Sequence, residues 1–134
     1  MEPTVRLALL CDYALRSQDG KLSAIGIFSS VGMAEIPGPS PPFFVVISVG
    51  LDRGTHPVSL GIVDPLGQQV LPEQPAFDVE VEAPGMDTEL LFQFNGLPLP
   101  RPGIYQIQLF VEGRLVHSMP LSVQGASGQM PGRA

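Results

Sequence analysis

From Phe77 to Glu82 apolar and acidic side chains alternate without exception: Phe77, Val79 and Val81 against Asp78, Glu80 and Glu82. Extended chain sends successive side chains to opposite faces, so this run reads as a strand with one face in a core and one in water. Similar runs occupy Val5–Tyr13, Lys21–Val31, Phe43–Leu51, Val58–Asp64, Thr88–Phe94, Ile104–Val111 and Leu115–Val123. No window carries a capped run of helical period. Met86–Leu91 comes nearest, and its continuation Phe92–Phe94 favours extended chain. Short strands with turn signals between them predict an all-β fold, an antiparallel two-sheet sandwich of about seven or eight strands.

The breaks between runs have chemical causes. Pro37, Pro39, Pro41 and Pro42 fix φ and remove amide donors, which excludes Ile36–Pro42 from any ladder. Asp64-Pro65-Leu66-Gly67 reads as a turn. Asn95-Gly96 and Pro102-Gly103 bracket a loop that holds Pro98 and Pro100. Glu112-Gly113 reads as a two-residue hairpin turn. It sets Leu109 against Val116 on the inner face and Gln108 against His117 on the outer one. Strict alternation from Val116 would then turn Leu121 and Val123 outward, so an extra residue is expected, a bulge near Ser118–Pro120. Gly26, between Ile25 and Ile27, marks a bulge or a close backbone approach. No internal repeat is present. The expected organisation is one sandwich domain over 1–123 and a mobile tail over 124–134, mostly Gly, Ala, Ser, Pro and Gln with little to bury.

Composition narrows the function classes. Hydrophobic residues make up 44% of the 134 positions, charged residues 15%, and the net charge is −6. The cations Arg6, Arg16, Lys21, Arg53, Arg101, Arg114 and Arg133 stand singly. Nucleic acid and anionic membrane surfaces reward clustered cations, so neither is an expected partner. No segment approaches the ~20 apolar residues of a membrane span. The N-terminal apolar run is only five residues, Leu7 to Cys11, with Glu2 ahead of it, which is no signal peptide. A single cysteine makes no intramolecular disulfide, and a reducing cytoplasm is the expected setting.

Few residues invite chemistry. Cys11 shares a face with Val5, Leu7 and Leu9 and reads as a small core hydrophobe, since nothing beside it would generate a thiolate. Asp12 is placed to accept amide hydrogen bonds from the loop Ala14–Gly20. His56 precedes Pro57 in a turn and His117 points outward, a poor start for a metal site. Asp78, Glu80 and Glu82 form a solvated strand face that discourages edge pairing. No catalytic, cofactor-binding or metal-binding residue is assigned, and no enzyme is expected. The leading expectation is a non-catalytic interaction or structural module with a protein partner or a second copy. It would dimerise by edge pairing or through apolar residues such as Ile25, Ile27, Phe44 and Val46. A second is a binder of a small apolar or glycan ligand lined by Phe43, Phe44, Phe92, Phe94 and Tyr105, residues that ordinary core packing would equally claim. A third is a hydrolase assembled from Cys11, His56, Asp64 and His117.

The stretches LALLCDYA, GKLSAIGIF, IVDPLGQQVLP, NGLPLPRPGIYQIQLFVEGRLV and PLSV together resemble a family of uncharacterised small bacterial proteins. The likeness runs from Leu7 to Val123, and Glu112 stands where the family pattern has Asp. The resemblance implies an immunoglobulin-like β-sandwich and brings no activity with it. PGIYQIQLFV also resembles immunoglobulin-type and fibronectin-type modules, with Tyr105 placed as a tyrosine corner.

Overall fold

The computed structural model describes residues 2–83 and 86–125. Among them the strands are β1 (Thr4–Arg16), β2 (Leu22–Phe28), β3 (Ser30–Met33), β4 (Gly38–Pro39), β5 (Phe43–Gly50), β6 (Gly54–Val63), β7 (Ala76–Val81), β8 (Asp87–Phe94), β9 (Pro98–Leu99), β10 (Gly103–Val111) and β11 (Arg114–Gly125). One sheet has the order β2-β1-β5-β8 and the other β3-β11-β10-β6-β7. Neighbours are antiparallel except β3, which runs parallel to β11. Apart from the short β4–β9 ladder, the protein is thus a two-sheet, mostly antiparallel β-sandwich. β11 continues through Gln124 and Gly125 alongside β3. The remainder of the expected tail, 126–134, lies outside the described residues.

Two segments depart from the expected layout. The run Lys21–Val31 divides at Ser29: β2 pairs with β1 in the first sheet, and β3 crosses to β11 in the second. The proline segment does enter a ladder. Gly38 and Pro39 pair with Leu99 and Pro98, and Ser40 N donates to Leu97 O at 2.8 Å. Two residues of β-bridge need few donors, and Gly38 and Ser40 provide positions that proline cannot. The Ile36–Pro37 peptide is cis.

The main core lies between the sheets. Leu10, Val45, Ile47, Val49, Leu90 and Phe92 meet Leu60, Ile62, Tyr105, Ile107, Leu109 and Leu121, all buried. Each such aliphatic side chain contributes roughly 1.5–3 kcal/mol by leaving water. β5 reads FFVVISVG, nearly continuous apolar sequence, because both of its faces are covered. Phe43, Val45, Ile47 and Val49 enter the main core, whereas Val46 is buried in a second cluster with Cys11 and Ala14.

That second cluster corrects the assignment of β1. Leu10, with Ala8 against it, faces the main core; Leu7 is 47% exposed, and Leu9 and Cys11 turn to the opposite side of the sheet. Cys11 is fully buried, as expected of a small hydrophobe, but outside the space between the sheets. Its neighbours include Ala14, Leu22 and Ala24 of the β1–β2 hairpin and Phe44, Val46 and Leu91 on the outward side of β5 and β8. The hairpin therefore folds back over that outward side. Arg16 Nη1 reaches Glu89 Oε1 on β8 at 2.7 Å and fixes its far end. The fold-back occurs where Asp12 meets Gly26, whose φ is +73°.

The C-terminal hairpin turns at Glu112 and Gly113 with φ of 52° and 78°, the two positive values of a type I′ turn. An extra residue is present, but at Leu115–His117, directly after the turn. Regular pairing then runs on through Met119 and Pro120, so the bulge does not sit at Ser118–Pro120. Placed early, it brings Val116 against the core and sets Met119, Leu121 and Val123 inward. His117 accordingly lies opposite Leu109 and is half-buried, not outward opposite Gln108.

Candidate functional site

The two ends of the sandwich each hold a polar cluster. At one, His56 near the start of β6 lies beneath the β10–β11 turn. Its Nδ1 is 2.6 Å from Glu112 Oε2, and its Nε2 is 2.8 Å from the carbonyl oxygen of Asp52. The Asp52 carbonyl, then the Glu112 carboxylate, raise the His56 pKa above its ordinary value. Glu2, Asp52, His56, Glu112 and Arg114 line a concavity of about 530 Å3 here. Glu112 is held in its left-handed conformation by its own N–H, which donates to Pro57 O at 2.8 Å.

At the other end Asp64 closes the turn that follows β6. Gly67 N donates to Asp64 O, and Asp64 Oδ1 accepts from the amides of Leu66 and Gln68 at 2.9 Å each. The Gln68 amide is the largest influence lowering the Asp64 pKa, with the Arg101 guanidinium, 3.2 Å from Oδ2, adding to it. Beside it the Tyr105 hydroxyl donates to Arg101 O at 2.6 Å and accepts from Arg101 N at 3.1 Å. This is the tyrosine corner that the sequence suggests: a buried ring at the start of β10 whose hydroxyl ties down the preceding loop.

The structure does not bring Cys11, His56, Asp64 and His117 together. His56 and Asp64 stand at opposite ends of β6, Cys11 lies under the β1–β2 hairpin, and no hydrogen bond joins any two of the four. Among the described residues no group of three or more metal-ligating side chains converges. Phe43, Phe92, Phe94 and Tyr105 are core, and Phe44 belongs to the second cluster. The partners that sequence reading missed, Arg101 for Asp64 and Glu112 for His56, are remote in the chain. The single signal was Glu112 itself, one methylene longer than the Asp of the resembled pattern and so able to reach the imidazole.

Asp12 does not serve the loop after β1. β1 runs on to Arg16, and the short loop satisfies itself: Ser17 N donates to Lys21 O, Gly20 N to Ser17 O, and the Ser17 hydroxyl to Asp19. Asp12 instead lies across Gly26, where a Cβ would stand 2.9 Å from its Cγ. Gly26 is thus a close-approach glycine.

The sheet edges differ in their protection. β7 carries Asp78 and Glu80, and its Phe77 packs on Phe92 with ring centroids 5.6 Å apart. β8 carries Asp87 and Glu89, each paired with an arginine, and β3 is only four residues long. β2, LSAIGIF, has neither charge nor proline and pairs only with β1. Beside its unpaired backbone edge Ile25 is 56% exposed, Ile27 63% and Tyr13 53%. Charge, proline and brevity are the usual guards of an edge, and β2 has none of them.

No helix of the described residues is long and apolar enough to cross a membrane. The fold resembles part of the alkylpurine DNA glycosylase AlkC of Pseudomonas fluorescens, solved bound to DNA containing an abasic site analogue. Identity there is 10% and the TM-score 0.52, over 88% of this chain and 30% of that one. A β-glucosidase of Listeria innocua is similar at 10% identity and a TM-score of 0.52, over 73% of this chain and 15% of that one. An immunoglobulin-like protein of Pseudomonas aeruginosa is 14% identical with a TM-score of 0.49, over 92% of this chain and 97% of that one. The chain spans less than a third of the first two proteins, and at these identities the likeness is one of fold alone. No curated protein matches the chain in sequence. One family model does, from residue 6 to residue 124, and the chain belongs to that family, a family of unknown function (DUF6941).

Proposed function

We propose that this protein is a non-catalytic interaction module whose docking element is the free edge of β2, and that it self-associates there. The supporting observation is the contrast among the edges: β2 alone combines seven residues, no charge, no proline and flanking exposed isoleucines. An unpaired strand edge offers alternating N–H and C=O groups whose natural complement is another extended strand, and main-chain pairing then supplies the affinity. The buried free thiol suits a reducing compartment, and we place the module in the cytoplasm.

Sedimentation equilibrium with hydrogen exchange tests the reading. The mass should rise with concentration while the β2 amides gain protection, and Ile27→Lys should abolish both. Monomer at every concentration, with the β2 amides exchanging freely, overturns it.

A further inference from the structure

We propose that the concavity beside the β4–β9 ladder binds a small organic monocarboxylate with an apolar body, held by the guanidinium of Arg101. None of its lining residues belongs to β2, so the site is independent of the docking edge.

The site follows from the prolines. Pro37, Pro39, Pro98 and Pro100 have no amide donors, and the β4–β9 ladder ends after two residue pairs. Beside it opens a concavity of about 560 Å3, walled by Pro39, Val70, Pro98 and Leu99. Small-molecule sites are of this size, mostly apolar with a few placed polar groups. Pyrrolidine rings are rigid, so these walls lose little freedom when a ligand settles on them.

Arg101 is the only Lys or Arg among the described residues that line the concavity. It is anchored at both ends. The Tyr105 hydroxyl holds its backbone N–H and carbonyl, and its Nε donates to Asp64 Oδ2 at 3.2 Å. Asp64 is itself fixed: its side chain is 3% exposed, and its Oδ1 accepts two amides. The Arg101 side chain is 39% exposed, and no hydrogen bond among the described residues uses its Nη1 or Nη2. The outer edge of the guanidinium is thus a preset pair of donors beside apolar walls. A carboxylate meets such a fork with two parallel hydrogen bonds.

Charge selects the ligand class. Asp64 offsets Arg101, and no second cation lines the concavity, so a phosphate dianion would meet too little positive charge. The net charge of −6 opposes polyanions further. A monoanion needs only the one fork, and its apolar body takes the proline walls. A competing role makes the opposite prediction. As a mere brace for the turn after β6, Arg101 would matter to stability and be blind to carboxylates.

The test is 15N NMR of the full-length protein titrated with hexanoate, benzoate and cyclohexanecarboxylate, read at the amides of Val70 and Leu99. At least one acid should shift these signals saturably, and its neutral carboxamide should bind roughly tenfold more weakly. Inorganic phosphate should bind no better than the carboxamide. Gln68, exposed and also lining the concavity, allows its charge to be changed. Gln68→Glu should weaken the acid roughly two- to fivefold and Gln68→Lys should tighten it by a similar factor, both effects shrinking as salt rises. Arg101→Gln should abolish the shifts. Should Arg101→Gln fail to fold, the two Gln68 variants carry the test. The site is overturned by no saturable shift with any of the three acids, by equal binding of acid and carboxamide, by unchanged binding in a folded Arg101→Gln, or by wild-type affinity in both Gln68 variants. Phosphate binding as tightly as the acids overturns the choice of a monocarboxylate.

Discussion

The imidazole of His56 and the carboxylate of Glu112, 2.6 Å apart, clamp the start of β6 to the β10–β11 turn. With the Asp52 carbonyl on its other nitrogen, the ring faces an acceptor on each side, so it satisfies both only as the protonated imidazolium. Its folded pKa is accordingly raised above the unfolded value of about 6.5. The sign follows from linkage: the clamp stabilises fully below the unfolded pKa and is lost as pH rises through the folded one. Urea midpoints across that window should therefore fall with pH in the wild type. In Glu112→Gln the His56 contribution to that slope should shrink, because one of the groups raising the pKa is gone.

Removing the hydroxyl of Tyr105 isolates the tyrosine corner. Tyr105→Phe preserves the ring, which is fully buried, but leaves the Arg101 amide and carbonyl without their partner. The expected loss is about 1–3 kcal/mol, read as a lower urea midpoint with an unchanged slope.

Gly26 meets two constraints, which a double-mutant cycle separates. Gly26→Ala places a Cβ into the Asp12 carboxylate and forces a side chain onto φ of +73°. A destabilisation of roughly 1–3 kcal/mol is expected. Adding Asp12→Ala should relieve the clash with the carboxylate but keep a tight contact with its Cβ, 3.0 Å away, and the backbone part, giving a non-additive cycle.

The thiol of Cys11 reports on the hairpin that covers it. Burial pushes its pKa up, so native protein should react slowly with thiol reagents. The covering layer is held partly by the exposed Arg16–Glu89 pair. Glu89→Gln should speed labelling more than it lowers the global unfolding free energy, because the route to the sulfur is local opening. Equal effects on both would show that only complete unfolding exposes it.

The period-two runs made all of the long strands legible, because a strand with one wet face records its burial residue by residue. Leu22 to Val31 shows the limit: its pattern is continuous, yet β2 and β3 lie in different sheets, and nothing in alternation marks a change of partner. Cys11 shows another. Alternation gave it the same face as Leu9, correctly, but could not tell which side of a doubly covered sheet that face meets. The bulge after Gly113 was inferred from the inward demand of Leu121 and Val123. Its position escaped, because a proline looked like the natural site and the turn was the actual one. His56–Glu112 and Asp64–Arg101 join residues far apart in the chain, and only the sheet order brings them together.

The passage from β2 to β3 at Ser29 has a mechanical meaning. A pull along the edge strand is carried by backbone, with no slack loop between, straight into a strand bonded to β11. Such tension loads the two layers together and in shear, so a tether attached at that edge would drag on the whole sandwich before it could unzip one sheet.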